Sequence, residues 1–423
     1  MSSGPDKTAI VIGGSIAGLI AALLLQRDGW IVDVFERVES ELAGRGAGIV
    51  THPDLFSVLR SAGIAIPADI GVSVESRRVF GLDGKCLAER PHPQILTSWD
   101  RLYQELRQCI PDSRYHKGRT LERIEQGEEA VVARFVDGSS ANGDLLIGAD
   151  GLRSATRGQY FPAAQPAYVG YIAWRGLVDE AVLPVAVIED LFGHFAFALP
   201  DGEQMLGYPV AGPDNENRPG HRRYNWVWYR PADRSTLREL LRDETGVIHD
   251  VSIPPPLIRP EVVLAMRRAA EQVLAPQFAT LVRLTPQPFF QPIYDLETPR
   301  MAIGRVALIG DAAFVARPHV GAGVTKAAQD AFAMSAALAQ DGGDIPGALL
   351  TFERKRLGEG NRIVARARHL GAYMQAQIET PEERANAARF RTPEAIMCDT
   401  ASLEFLSAHE DGRNAAVTLS PLN

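Results

Sequence analysis

The sequence predicts an α/β chain: an open, mostly parallel sheet flanked by helices, interrupted by an antiparallel-sheet domain and finished by a C-terminal helical segment. Three observations carry this. A short apolar run, Ala9–Ile12, leads through glycines into a stretch rich in alanine and leucine, the order of a buried parallel strand, a tight turn and a helix. Two later segments, Asp144–Arg157 and Gly304–Ala313, read as strands that also end in an acid at a glycine turn. Between Phe161 and Glu297, aromatics alternate or bunch at strand lengths with turns such as Pro200-Asp201-Gly202 between them. The expected organisation is a first domain over 1–160, an inserted sheet domain over 161–297, and completion of the first domain with C-terminal helices over 298–423.

The N-terminal unit is the most informative. After the strand comes Ile12-Gly13-Gly14-Ser15-Ile16-Ala17-Gly18, then a helix to Arg27 ending near Asp28-Gly29, then a strand Trp30–Phe35 closed by Glu36. Glu36 lies 18 residues after Gly18, close to the roughly 20 that separate a dinucleotide fingerprint from its ribose-binding acid. The unit is therefore Rossmann-like. Gly13 makes the tight turn, and Gly18 lets the helix approach the strand. The amides of Ile16, Ala17 and Gly18 at the helix N-terminus favour a pyrophosphate. Glu36, with Arg37 beside it, faces the ribose and repels a 2′-phosphate. Ser15 stands where the middle glycine belongs; its Cβ takes room, and its hydroxyl can donate to a phosphate oxygen. The alternative is a serine that merely caps the helix.

Composition excludes several classes. At 423 residues the chain is too long for one simple core. Its net charge of −8 argues against nucleic acid or an anionic membrane surface as partner. Cys86, Cys109 and Cys398 are scattered, with no disulfide framework or metal-ligand spacing. The first residues lack the basic region of a secretory signal, and the apolar run Ile16–Leu25 is too short to span a bilayer. A cytoplasmic enzyme is expected.

The trio Gly13–Gly18, Gly148-Ala149-Asp150-Gly151-Leu152-Arg153-Ser154-Ala155-Thr156-Arg157 and Gly310-Asp311-Ala312-Ala313-Phe314, running on through Arg317-Pro318-His319 to Gly323, resembles the group A flavoprotein aromatic hydroxylases, the family of para-hydroxybenzoate hydroxylase. The resemblance covers roughly residues 7 to 370. Shorter matches, Gly13–Ile16, Gly170–Gly176 and Arg317–His319, are similar to the branch acting on dihydroxypyridines.

It implies a Rossmann-like FAD-binding domain, FAD as cofactor and NADH or NADPH as transient reductant. It also implies O2 as co-substrate, a flavin C4a-hydroperoxide, and oxygen transfer to a small hydroxylated aromatic ring. By resemblance Asp311 holds the ribityl chain, and Gly321, Ala322 and Gly323 lead into a helix N-terminus at the flavin pyrimidine edge. Asp150 supports FAD, Arg101 reaches its phosphates, and Arg45 and Gly48 lie in the loop flanking the flavin. Ser15, Phe314 and Thr325 depart from the family's glycine, histidine and asparagine. The family works without a second nucleotide fold and without metal, and a homodimer is one assembly open to such a chain.

Candidates for the ring pocket are Tyr208, Trp174, Gln291, Tyr294 and His319. The chemistry needs a group that deprotonates a ring hydroxyl and a pocket that keeps water out. Histidine suits the first task near neutral pH, so His319, in the loop with Pro318, is the expected base or relay, and Tyr208 the hydrogen-bond partner of the substrate. The alternatives are a phenolic or hydroxybenzoate substrate, a flavin-dependent halogenase (for which Trp226-Val227-Trp228 invites comparison), or a flavoprotein that binds an aromatic ligand without turnover.

Overall fold

The structure, a computed structural model, describes residues 7–42, 48–67, 69–340 and 342–406. Among these, a six-stranded sheet runs in the order Ala302–Ile303, Val306–Leu308, Leu145–Gly148, Thr8–Ile12, Ile31–Phe35, Tyr115–His116. All neighbours are parallel except the short edge strand at 302–303. The strands are continuous apolar runs because both faces are covered. Helices Ile16–Arg27 and Gly323–Gln340 pack on one face. On the other, a three-stranded sheet (Leu121–Gln126, Val131–Phe135, Ser140–Gly143) buries Ile10, Ile12 and Phe35. The first strand pairs with Ile31–Phe35 on one side and Leu145–Gly148 on the other. That makes its carboxyl end a topological switch point, where open α/β sheets bind ligands.

A second sheet, nine-stranded among the described residues, runs in the order Phe314–Val315, Phe289–Glu297, Ala167–Asp179, Arg223–Pro231, Gln204–Val210, His194–Ala198, Val72–Phe80, Cys86–Ser98, Gly48–Val50. Its last three strands come from within the first 160 residues, so the sheet expected to begin at Phe161 draws on earlier chain. The local signal there is weak: Cys86–Ser98 contains Pro91 and Pro93 and is largely exposed over its first half, and proline suppresses strand character.

The long strands present two faces. The outer face, with Trp174, Tyr224, Trp226, Trp228 and Phe290, packs on helices Pro260–Val273 and Pro276–Leu284. The inner face, with Tyr171, Phe195, Leu206, Tyr208, Val227 and Tyr229, looks toward the first domain. Trp226 and Trp228 spend their indole N–H groups on Thr285 and Glu203, 2.7 Å each, so the halogenase-like segment is sheet packing.

A 27-residue helix, Ile345–Gly371, follows Gly323–Gln340. The tail after Thr380, which carries no motif, forms helices Pro381–Phe390 and Pro393–Asp399 and returns to the inner face. Buried Arg77 donates to the carbonyls of Met397 and Thr400 at 2.8 and 2.7 Å, and Ala401 N–H donates to the His319 carbonyl at 2.8 Å. No helix among the described residues is long and apolar enough to cross a membrane.

Candidate active site

At the carboxyl end of the first strand, Gly13 adopts φ +110°, and a Cβ there would overlap the Ala149 carbonyl. A Cβ on Gly18 would overlap the Gly13 carbonyl. Only glycine permits this turn and this helix approach. Ser15 precedes the helix in extended conformation, and its side chain makes no capping bond; the hydroxyl is not spent on the helix. No acid lies in the helix's first turn, so its amides and dipole remain directed at an anion. Glu36 is buried, with Oε2 accepting from Gly14 N–H at 2.9 Å and Oε1 from Val38 N–H at 3.0 Å. Each oxygen keeps a lone pair for a further donor.

These groups border a cavity of about 320 Å³ with Gly13, Ser15, Glu36, Arg37, Asp150 and Arg153 in its wall. Asp150 fixes the adjoining loop: Oδ1 accepts from Ser154 Oγ at 2.5 Å, and Oδ2 from Thr156 N–H at 3.0 Å. Leu152, in the same loop, lines a second cavity of about 250 Å³.

This second cavity lies between the inner sheet face and the turn at 310–324. Asp311 lies deep in the molecule, yet its side chain is exposed to the cavity rather than packed. Burial pushes its carboxyl pKa up, against the lowering field of Lys326. Gly321, at φ +63°, turns the chain so that Ala322 and Gly323 line the cavity at the start of helix Gly323–Gln340. Opposite stand Phe195, Leu206, Tyr208, Val227, Tyr229, Gln291 and Tyr294.

The two cavities, joined by the loop at 150–153, suit an elongated dinucleotide. A turn that admits no Cβ and an uncapped serine sit at the pyrophosphate position, buried Glu36 at the ribose, and an acid facing open space at Asp311. FAD fits these residues. Two family models match the chain, one described as FAD binding domain-like over residues 168–295 and one as FAD binding domain over residues 293–367. The chain is 33% identical over 380 residues to 2,6-dihydroxypyridine 3-monooxygenase of Paenarthrobacter nicotinovorans, covering 89% of this chain and 93% of that one. The solved structure of 2,6-dihydroxypyridine-3-hydroxylase from Arthrobacter nicotinovorans superposes with a TM-score of 0.82 at 31% identity, covering 90% and 96% of the two chains. That of Klebsiella pneumoniae HpxO complexed with FAD and uric acid superposes with a TM-score of 0.73 at 26% identity, covering 93% and 96%.

The chain belongs to the FAD-dependent aromatic-ring monooxygenases.

For a member of this family, the expected site residues divide sharply. Gly13, Ser15, Glu36, Arg37 and Asp150 meet at the first cavity, with Ile16, Ala17 and Gly18 in the helix turn behind Ser15. Gly48, Tyr208, Gln291, Tyr294, Asp311, Pro318, Gly321, Ala322 and Gly323 meet at the second. Arg45 lies outside the described residues. Arg101 lines neither cavity; its guanidinium pairs with Glu105 at 3.2 Å and Asp69 at 3.4 Å. Phe314 is core, and buried Thr325 Oγ1 lies 3.0 Å from His52 Nδ1.

Of the residues expected in the ring pocket, two lie elsewhere. Trp174 belongs to the outer face and packs edge-on against Phe290, because strand alternation sends it away from the cavity. His319, expected at the reactive edge, lies behind the cavity wall and is 1% exposed, packed against Tyr171 and Tyr229. Its Nε2 lies 2.8 Å from Tyr171 Oη, while Nδ1 has no hydrogen-bond partner among the described residues. Burial, with the fields of Arg317 and Arg175, pushes its pKa down to about 3. Such an imidazole stays neutral across the physiological range, and its side chain does not line the cavity.

Sequence reasoning missed two features of this monooxygenase. One is a buried ionic network beneath the Asp311 turn. Asp330 accepts from Gly310 N–H at 3.1 Å and Arg356 Nε at 2.8 Å, and Lys326 Nζ donates to the Gly310 and Phe314 carbonyls at 2.7 and 2.8 Å. The i,i+4 spacing of Lys326 and Asp330 in an alanine-rich helix was the available signal. The other is Arg175, which lines the second cavity.

Proposed function

We propose that this chain hydroxylates a hydroxypyridine, with NADH or NADPH as reductant and O2 as oxygen source. What carries this is the cavity between the Gly321–Val324 turn and an aromatic sheet face, in a chain 33% identical over 89% of its length to a 2,6-dihydroxypyridine 3-monooxygenase. FAD, when bound and reduced, supplies the oxygen-activating chemistry. The protein's part is to hold, orient and dry the site. Gly13, Ser15, Glu36 and Asp311 hold the cofactor. The helix N-terminus at Gly323 favours negative charge at the ring system's edge. Phe195, Leu206, Val227 and Tyr229 exclude water from the substrate ring, and Pro318 shapes the wall beside it.

Tyr208 is the candidate partner of the ring hydroxyl. Its Oη has no hydrogen-bond partner among the described residues, and burial raises its pKa well above the ordinary phenol value, so it acts as a donor. His319 then steadies Tyr171 and the Pro318 turn from behind.

The test is a panel of hydroxypyridines and hydroxybenzoates, scored by NADH and NADPH consumption, peroxide release and incorporation of ¹⁸O₂. Substrate-stimulated, coupled turnover restricted to hydroxypyridines supports the proposal. Coupled turnover of hydroxybenzoates alone replaces it with the phenolic alternative. Ligand binding without accelerated flavin reduction makes the protein a binder.

A further inference from the structure

Two cations line the ring cavity, and they differ in one respect. Arg317 is paired: its guanidinium holds Asp295 at 3.0 to 3.2 Å and Gln375 Oε1 at 2.7 Å. Arg175 forms no ion pair and no hydrogen bond among the described residues, and its Nε is buried without a partner. The sheet commits it to this position. Its strand neighbours Trp174 and Gly176 turn to the outer face, where Trp174 meets Phe290 and a Cβ on Gly176 would press on Trp226 and Thr285. Its cross-strand partners are the apolar Val227 and Phe289. A half-buried cation set among apolar neighbours and left unpaired costs stability.

Other donors on the same face lack acceptors. Tyr208 Oη is one. Buried Asn225 is another: its Oδ1 accepts from Gly48 N–H at 3.0 Å, and its Nδ2 has no partner. The two donors lie 2.7 and 2.8 Å from the point where a Cβ on Gly48 would stand. Guanidinium, phenol and amide thus offer donors on one face of a cavity whose other wall carries the Asp311 carboxylate, with which Arg175 forms no ion pair.

We propose that Arg175 is the specificity-determining residue of this cavity and that it binds the substrate ring as an oxyanion, at a ring hydroxyl that has given its proton to solvent. The inference rests on the hydroxylated-ring function and adds the residue that holds the ionised ring. A cation within 4–6 Å favours ionisation of a neighbouring hydroxyl by about 10- to 1000-fold. The ionised oxygen enriches the ring carbons ortho and para to it, the positions an electrophilic oxygen attacks. A protein base at the ring then becomes unnecessary, in keeping with His319 lying behind the wall. The titratable groups around Arg175 are Tyr208, Tyr229, Tyr294, His319, Asp311 and Arg317. Arg175 itself lowers the pKa of His319, Tyr208 and Tyr229, so a ring with less acidic hydroxyls must be measured beside the pyridine: a pH dependence lost for the pyridine alone reports the Arg175–ligand pair.

The experiment is calorimetric binding to the FAD-loaded protein, between about pH 5 and 9, of 2,6-dihydroxypyridine and of resorcinol, a ring of the same shape with less acidic hydroxyls. Wild type should prefer the pyridine, with affinity following its ionisation. Arg175→Met and Arg175→Gln should bind it at least about 30-fold more weakly, lose the pH dependence and lose the preference over resorcinol. Arg175→Lys should recover part of all three. Thermal melting without substrate supplies the second readout: relieved of an unpaired charge, Arg175→Met should melt no lower than wild type. Unchanged affinity and pH dependence in Arg175→Met would overturn the proposal, as would a lower melting temperature with both ligands weakened equally. Failure of wild type to bind either ring, with benzoates bound instead, overturns the hydroxypyridine function itself. Loss of benzoate binding in Arg175→Met would then show a carboxylate partner and overturn the oxyanion assignment.

Discussion

Replacing His319 with asparagine separates a catalytic base from a structural imidazole. The buried ring has a pKa near 3 in the fold, through burial first and the fields of Arg317 and Arg175 second, against an ordinary 6.5 in the unfolded chain. Because the folded value is the lower one, the unfolded chain binds the extra proton between about pH 3 and 6.5. Stability is therefore complete above 6.5 and is lost as pH falls through that window. From pH 6.5 to 4.5 the loss works out at about 2 kcal/mol. In His319→Asn that slope disappears, while a less well satisfied Tyr171 hydroxyl costs about 1–3 kcal/mol at every pH. Urea unfolding should find the variant weaker at pH 7.5 and nearly level with wild type at pH 4.5. Its kcat/KM profile should keep the wild-type shape between pH 5.5 and 8.5. A wild-type limb near pH 6.5 that vanishes in the variant, with parallel stability curves, would refute the reasoning and restore His319 as the base.

Ser15→Ala should weaken FAD binding by about tenfold or more, the worth of one charge-assisted hydrogen bond, without lowering the melting temperature of the FAD-free protein, since the hydroxyl caps nothing. Equal FAD affinity in flavin fluorescence titrations would make the serine a tolerated intruder. Asp330→Ala strips a charge partner from buried Arg356, which keeps only Glu359 among the described residues, and from buried Lys326, and the acceptor from Gly310 N–H. A loss of about 3–5 kcal/mol is expected, together with flavin-poor protein, read from thermal melts and the flavin-to-protein absorbance ratio; a full complement of flavin at an unchanged melt would contradict it. Arg77→Met removes both hydrogen bonds that tie the carbonyls of Met397 and Thr400 to the inner sheet. Limited proteolysis should then cut the segment from Arg391 to Ala401 faster, and NADH oxidation should release more peroxide; cleavage at the wild-type rate would show the tail held by its apolar contacts alone.

What the sequence disclosed and what it withheld follow the range of the interactions. The strand, glycine turn, helix and acid of the first unit are local, and Thr8–Ile12, Ile16–Arg27 and Ile31–Phe35 lie where the residue pattern puts them. The acids at 150 and 311 were equally legible, because each ends a continuous apolar run. The tail was not: its helices carry no motif, and its contribution at Thr400 and Ala401 to the cavity wall depends on Arg77, more than 300 residues away.

The segment Trp174-Arg175 shows the deeper difficulty. Alternation along the strand fixes that one of the two faces the cavity, but not which, and a one-residue change of phase exchanges them. Aromatic character favoured Trp174. The helices at 260–284 decide otherwise, because they offer Trp174, Trp226 and Trp228 an apolar bed on the outer face, worth about 1.5–3 kcal/mol for each large side chain buried. With the tryptophans drawn outward, parity leaves Arg175 on the inner face. The cavity's unpaired charge is thus set by the packing of its opposite side.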